Sequence, residues 1–260
     1  MNVGIIGCGT LGRAIAAGLA HHEEVRSIVA TTRRGTPIPA LPDVTIMRDN
    51  VRLVEAVDVV LLCVKPFQLE AVAREIAPAL APHHLVISTA ASVTSAQVRT
   101  WIAGRAPIVR VMPNMPCRVG LGMTVLARGA DATDAHLTLA QSLFDMLGRT
   151  LAIDEALMDA ATGISGCGPA YAYLIIEALS DAGVKLGFSY DAARLLVAQT
   201  MLGAAQMVLE TGEHPALLKN EVTTPAGCTV DGLMELEDGK LRSTLLRAAV
   251  AAATRSASLR

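Results

Sequence analysis

Six residues near the N-terminus constrain the fold more than any other feature: Gly7-Cys8-Gly9-Thr10-Leu11-Gly12, a G-x-G-x-x-G string. Its surroundings give it weight. Residues 3–7 form a short apolar run that reads as a strand, residues 10–21 carry helical periodicity, and residues 25–31 read as a second strand. A glycine turn between strand and helix, inside a βαβ unit, is the dinucleotide fingerprint. Gly7 permits the tight turn, Gly9 lets backbone approach a pyrophosphate, and Gly12 lets the helix close on the sheet. The free N–H groups at the helix start, with Thr10 and Leu11, then face an anion that the helix dipole favours. The alternative is a glycine-rich turn with no ligand.

The same alternation continues through the first half. Residues 58–64 read as a strand and are uninterruptedly apolar after Asp58, as expected of a strand covered on both faces. Pro66 suits a first helical turn, with the helix running to about residue 80. Residues 85–89 and 108–112 read as strands, separated by a helix over 94–103. The fold class is therefore α/β, a doubly wound and mostly parallel sheet. After about residue 151 the β signals stop. Helices are expected over 154–165, 168–186, 190–211, 215–221, 227–237 and 239–259, which divides the chain into residues 1–153 and 154–260. Residues 195–209 are apolar nearly all round, so this helix has to be buried on all sides. About 105 residues can barely do that alone, which points to a homo-oligomer with intertwined helices; a central helix of a monomeric bundle is the alternative.

Composition removes several function classes. A mean hydropathy of +0.45 is high and asks for extensive burial. In the C-terminal half the charge-free run 195–209 is too short to span a membrane comfortably, and Gln199, Thr200 and Gln206 interrupt it. The strand pattern begins at Asn2, with no signal peptide visible, so a cytoplasmic location is expected. Net charge is −2 with three Phe, three Tyr and one Trp, which argues against nucleic acid as a partner. The five cysteines are scattered, without a C-x-x-C, and the six histidines lack helical i, i+4 spacing; neither a disulfide framework nor a metal site is expected.

The end of the second strand bears on which dinucleotide is bound. An Asp or Glu there holds an unphosphorylated ribose, but this chain reads Thr31-Thr32-Arg33-Arg34. Hydroxyls and guanidiniums suit a 2′-phosphate, so NADPH is the expected cofactor, with NADH admitted. Two surface arginines in a loop are the alternative. Lys65 follows a strand at the carboxyl edge of the sheet, where ligands bind, and reads as a ribose or substrate-anion contact or else as a surface lysine.

Several segments carry a family resemblance: Val64-Lys65-Pro66, Arg110-Val111-Met112-Pro113-Asn114-Met115-Pro116, Thr162-Gly163-Ile164-Ser165-Gly166-Cys167-Gly168-Pro169-Ala170-Tyr171, His214-Pro215, and Val222-Thr223-Thr224-Pro225-Ala226-Gly227-Cys228-Thr229 with Gly232-Leu233 and Leu236-Glu237. Together they resemble the pyrroline-5-carboxylate reductases over essentially the whole chain. The resemblance implies a Rossmann domain followed by a helical dimerisation domain, an active site at the subunit interface, and hydride transfer from NAD(P)H to the C=N carbon of Δ1-pyrroline-5-carboxylate to give L-proline. It allows a homodimer, or a decamer of dimers. It assigns Gly9, Thr10 and Leu11 to the pyrophosphate, Thr32 and Arg33 to the 2′-phosphate, and Asn50 to the adenosine ribose. Val64, Lys65, Pro66, Met112, Pro113 and Asn114 fall to the nicotinamide side. Thr224, Ala226, Gly227, Cys228 and Thr229 fall to the substrate, with the Thr229 hydroxyl toward the ring nitrogen. Two departures stand out: Ala226 and Cys228 in a loop that usually reads TPGGTT, and Ser92 where Ala-Ala-Gly is usual. Ala226 is strained if its φ is positive.

The implied chemistry needs little acid–base machinery, because a protonated imine is already a good electrophile. Positioning and exclusion of water matter more. Thr229 is then the one expected catalytic side chain, as a hydrogen-bond partner of the ring nitrogen; an N-cap hydroxyl is its alternative role. Backbone N–H groups of residues 227–229 are expected to hold the substrate carboxylate. Cys167, Cys228 and Cys8 read as ordinary thiols, or as pocket thiols open to reagent. Glu177 and Asp181 read as a solvated or interfacial face. A β-hydroxyacid dehydrogenase shares the architecture but needs a lysine where this chain has Ala172. An imine reductase acting on another cyclic imino acid and a non-catalytic NADP-binding sensor are the remaining rivals.

Overall fold

The computed structural model describes residues 1–259. The first compact unit comprises residues 1–167 together with the chain from Ala251 onward; the second comprises residues 168–250. Within the first unit the order is β1 (Asn2–Ile6), α1 (Thr10–Leu19), β2 (Ser27–Thr31), β3 (Val44–Met47), α2 (Asn50–Glu55), β4 (Val59–Leu62), α3 (Pro66–Ile76), β5 (Leu85–Ser88), α4 (Ser95–Trp101), β6 (Ile108–Pro113), β7 (Gly122–Arg128), α5 (Asp134–Asp145), β8 (Gly148–Ala152) and α6 (Met158–Ala161). The eight strands form one sheet in the order β3-β2-β1-β4-β5-β6-β7-β8. All neighbours are parallel except β6 and β7. This is the doubly wound Rossmann arrangement expected of the alternating pattern.

Apolar runs without alternation mean that both faces are covered. Val3, Ile5, Val59, Leu61, Leu85 and Ile87 point to one side, where Ile15 and Leu19 of α1 and Leu143 and Phe144 of α5 meet them. Ile6, Val60, Leu62 and Val86 point to the other, against Leu53 of α2, Leu69 and Ile76 of α3 and Val98 of α4. Burying one such side chain contributes about 1.5–3 kcal/mol, so the two layers carry most of the stabilisation of this unit.

The structure adds five elements that the pattern did not reveal: β3, α2, β7, α5 and β8. β3 has four residues and α2 six, too short for a period to register. β8 leaves most of its residues exposed, so it lacks the apolar run of an interior strand. The helix expected over 154–165 is broken into a 3-10 turn (Glu155–Leu157), α6 and a π-helical turn (Thr162–Gly166). The Cys167 N–H donates to the Thr162 carbonyl five residues back at 2.9 Å. Such π turns are frequent at functional sites. This broken segment packs Met158 against Met112 and Val125, so by contact it groups with the sheet, although the composition changes at residue 154.

In the second unit, α7 (Gly168–Lys185) and α8 (Tyr190–Thr211) lie along one another, followed by α9 (Pro215–Glu221), α10 (Cys228–Asp238) and the start of α11 (Leu241–Ser258). A Cβ on Gly183 would stand 2.7 Å from that of Ala193, so glycine sets this close approach. Ser189 caps α8 and Gly212, at φ +67°, ends it. The expectation that residues 195–209 are buried on all sides is not met within one chain: Ala193 is the buried residue of α8, while Leu195 is 70% and Leu196 53% exposed.

Candidate active site

The glycine loop has the geometry its sequence demands. Gly7 sits at φ +94°, where a side chain is strained, and a Cβ there would meet Val64 at 2.8 Å. Gly9 faces open space, with nothing within 4 Å of a notional Cβ. A Cβ on Gly12 would lie 2.6 Å from the Gly7 carbonyl oxygen, so glycine lets α1 close on the turn. No side chain caps α1, and its first N–H groups remain available. A cradle that any Cβ at residue 9 would begin to fill, at an uncapped helix start, fits a dinucleotide pyrophosphate.

A cleft of about 460 Å³ opens beside this loop, and Gly7, Gly9, Thr32, Arg33, Asn50, Val64 and Lys65 all line it. Arg48 lines it too, and no local motif marks it, because only the pairing of β3 with β2 brings it there. No carboxylate is in this lining. Asp49, next in sequence, accepts from the Val51 and Arg52 N–H groups at 3.0 Å as the cap of α2. The Thr32 hydroxyl accepts from the Gly35 N–H at 2.9 Å, which leaves its own proton for an anion. Asn50 donates to Glu75 at 3.1 Å. Cys8 and Cys63 form part of the floor. Burial pushes the Cys63 thiol up to about 12. Burial also raises Cys8, partly offset by the Arg13 charge, so both sulfurs stay protonated at neutral pH.

Other expected residues stand elsewhere. Thr10 lines a neighbouring hollow with Arg13 and Arg118. Leu11 packs on the core beneath the loop. Pro66 occupies the first turn of α3 and keeps Lys65 extended ahead of it. Met112 and Pro113 are buried at the end of β6. Asn114 accepts from the Met123 N–H at 2.9 Å and donates to the Ser165 carbonyl at 3.1 Å. It thus joins two of the segments that carried the family resemblance, and its amide works as a bracket holding the end of β6 to the π turn.

Ser92, the departure after β5, lies at φ +61°, the region that favours glycine. Its hydroxyl donates to the Ser256 carbonyl at 3.1 Å, and Ser256 donates in turn to buried Asp159 at 2.8 Å. The lost glycine is thereby compensated by a buried hydrogen bond. Arg110, 1% exposed in β6, pairs with Glu155 at 3.3 Å, while Glu155 also accepts from the Ser95 N–H at 2.7 Å and its hydroxyl at 2.5 Å. No local sequence pattern marks this bracket, since its three members lie far apart along the chain.

In the helical unit, residues 224–229 form a turn that opens α10. Ala226 does take a positive φ, +58°. The Gly227 N–H donates to the Thr224 carbonyl at 3.0 Å, and a Cβ on Gly227 would lie 2.4 Å from the Thr224 hydroxyl. The N-cap of α10 is Gly227, without a side-chain cap. Thr229 is therefore inside the helix and does not act as its N-cap. Among the described residues its hydroxyl has no hydrogen-bond partner, and Cys228 beside it is exposed.

Fold and cleft together define a dinucleotide-binding α/β protein with a helical second unit. A family model described as pyrroline-5-carboxylate reductase dimerisation matches residues 155–259, and one described as NADP oxidoreductase coenzyme F420-dependent matches residues 2–92. Pyrroline-5-carboxylate reductase of Glycine max is 40% identical, over 99% of this chain and 95% of its own length. The crystal structure of the Coxiella burnetii enzyme is similar at a TM-score of 0.91 and 35% identity, covering 99% of this chain and 98% of that one. That of the Plasmodium falciparum enzyme, with NADP bound, gives 0.90 and 32%, covering 99% and 97%. The chain belongs to the pyrroline-5-carboxylate reductase family.

Proposed function

We propose that this protein reduces the C=N bond of Δ1-pyrroline-5-carboxylate to give L-proline, the last step of proline formation, using NADPH in preference to NADH. When bound, the nicotinamide supplies the hydride. Gly9 and the start of α1 hold the pyrophosphate, with Thr10 and Leu11 in the same turn. Thr32 and Arg33 hold the 2′-phosphate, Asn50 the adenosine ribose, and Val64, Lys65 and Pro66 the nicotinamide end. Met112, Pro113 and Asn114 shape that end from β6.

The observation that carries the reading is the start of α10. The N–H groups of Cys228 and Thr229 lie at a helix start that no side chain caps, and the Thr229 hydroxyl is unpaired among the described residues; the Gly227 N–H, expected to join them, is taken by the Thr224 carbonyl. An uncapped start suits a carboxylate, and a hydroxyl at the second helical position suits a ring nitrogen whose proton demand changes during reduction. Thr224, Ala226 and Gly227 hold the shape of that turn. No further acid is required of the chain, since the substrate iminium carries its own proton.

The exposed apolar face of α8 supports self-association. This helix is long and apolar enough to cross a bilayer, yet it lies inside the matched dimerisation segment, which favours a second copy as its cover. We infer a homodimer, with a decamer of dimers as the larger assembly the family resemblance allows. All five cysteines are free, which suits a reducing compartment, the cytoplasm. The test is NADPH oxidation by purified protein with the five-membered imine, beside its six-membered analogue. Turnover of the five-membered ring supports the reading. Turnover of the larger ring alone moves the activity to a sister imine reductase, and dinucleotide binding without any turnover leaves a sensor.

A further inference from the structure

Three observations meet at the end of β3. Thr31 and Met47 are partners in neighbouring parallel strands, and the Thr32 N–H donates to the Met47 carbonyl at 3.2 Å. The chain therefore leaves both strands side by side, offering Thr32 and Arg33 from one and Arg48 from the other. Next, Gly35 at φ +65° lies against the Arg48 stem: a Cβ there would stand 2.3 Å from Arg48 Cγ and 2.9 Å from Cδ. The turn after β2 is thus closed around the methylenes of Arg48, which fixes the base of a long side chain and lowers the entropy lost on gripping a ligand. Finally, Arg33 and Arg48 line one cleft that contains no carboxylate, and among the described residues neither guanidinium has a hydrogen bond or an ion pair. Most other arginine ion pairs of this chain are with nearby carboxylates, such as Arg74 with Glu70 and Arg194 with Asp191. Two like charges left together without a counter-ion are suited to an anion that arrives from outside.

We infer that Arg48 is a specificity-determining residue that holds the cofactor's 2′-phosphate from the β3 side, opposite Thr32 and Arg33 on the β2 side. The inference rests on the nicotinamide reading above and adds a residue to it. A phosphate monoester presents three oxygens and close to two negative charges, enough for two guanidiniums and a hydroxyl at once. The ribose hydroxyl of NADH offers neither, so Arg48 discriminates between the two cofactors and does not merely attract dinucleotides.

The experiment is a fluorescence titration of NADPH and NADH against the full chain and two variants. Arg48→Met keeps an unbranched stem against Gly35 and removes the charge; Arg48→Lys keeps a charge and loses the planar fork. The expected result for Arg48→Met is an NADPH Kd raised about tenfold, with NADH changed less than twofold, as for the loss of one exposed charge-assisted contact. Arg48→Lys recovers part of the loss, and the NADPH Kd of Arg48→Met becomes less sensitive to salt. Equal weakening of both cofactors, or an unchanged ratio of their Kd values, overturns the inference. Wild-type protein that binds neither dinucleotide overturns the cofactor reading itself, and this inference with it.

Discussion

Replacing Glu155 by glutamine tests the bracket beneath β6. The change is nearly isosteric and removes one negative charge. Arg110 is 1% exposed and Glu155 24%, so their pair sits where water screens it poorly. The same carboxylate accepts two hydrogen bonds from Ser95, at the first turn of α4, where it also complements the helix dipole. Taking one partner from a buried pair costs about 3–5 kcal/mol; with a quarter of Glu155 in solvent, about 2 kcal/mol is expected. For a chain of this size that lowers the melting temperature by about 4–8 °C. Asp131→Asn supplies the internal control. It breaks an Arg99 pair whose side chains are 54% and 38% exposed, and such surface pairs contribute about 0.2–1 kcal/mol. Both variants are followed by urea unfolding and thermal melts at one fixed protein concentration, because self-association adds to apparent stability. Equal shifts for the two variants, or a Glu155→Gln loss below about 1 kcal/mol, refute the burial argument. Because Arg110 lies two residues before Met112, Glu155→Gln is also expected to lower activity more than Asp131→Asn does.

Further outcomes follow from single residues. Gly9→Ala leaves the fold intact, since nothing stands within 4 Å of its Cβ, and weakens dinucleotide binding; Gly12→Ala, whose Cβ would lie 2.6 Å from the Gly7 oxygen, also lowers the melting temperature, and equal melts for the two would contradict the packing account. Thr229→Ala lowers turnover about 10- to 1000-fold with NADPH affinity unchanged, the range for losing one positioned hydrogen bond, and unaltered turnover removes Thr229 from the mechanism. Ala226→Gly relieves a left-handed residue at φ +58°, about 1–2 kcal/mol, against about 0.4–1 kcal/mol of added unfolded-chain entropy. A melting temperature that falls would show that the loop needs the methyl. Burial raises the Cys8, Cys63 and Cys117 thiols above the ordinary value of 9.0, so the folded chain holds protons that the unfolded chain releases. Stability therefore falls as pH climbs from about 9 toward the folded value, about 12 for Cys63, and a flat profile over that window contradicts the buried placement.

What the sequence determined by itself is local. The glycine spacing specified a turn, an open approach and a close contact, and the structure has all three at Gly7, Gly9 and Gly12. Unalternating apolar runs specified strands covered on both faces, and β1, β4 and β5 are buried that way. These features depend on residues a few positions apart, so a period or a motif records them. The tertiary structure decided the rest. β3 and α2 were too short to register, yet β3 pairs with β2 and so delivers Arg48 to the cleft. Asn114 reads in sequence as a cofactor contact, while its amide bridges Met123 and Ser165. Ser92 and Ala226 read as mild departures from a pattern, but their cost depends on φ, which the packing of surrounding chain imposes. Glu155 meets Arg110 across 45 residues, and no local pattern encodes a partner at that distance. The long apolar helix α8 was legible as a segment that requires cover, and only the folded chain shows that the protomer leaves most of it exposed.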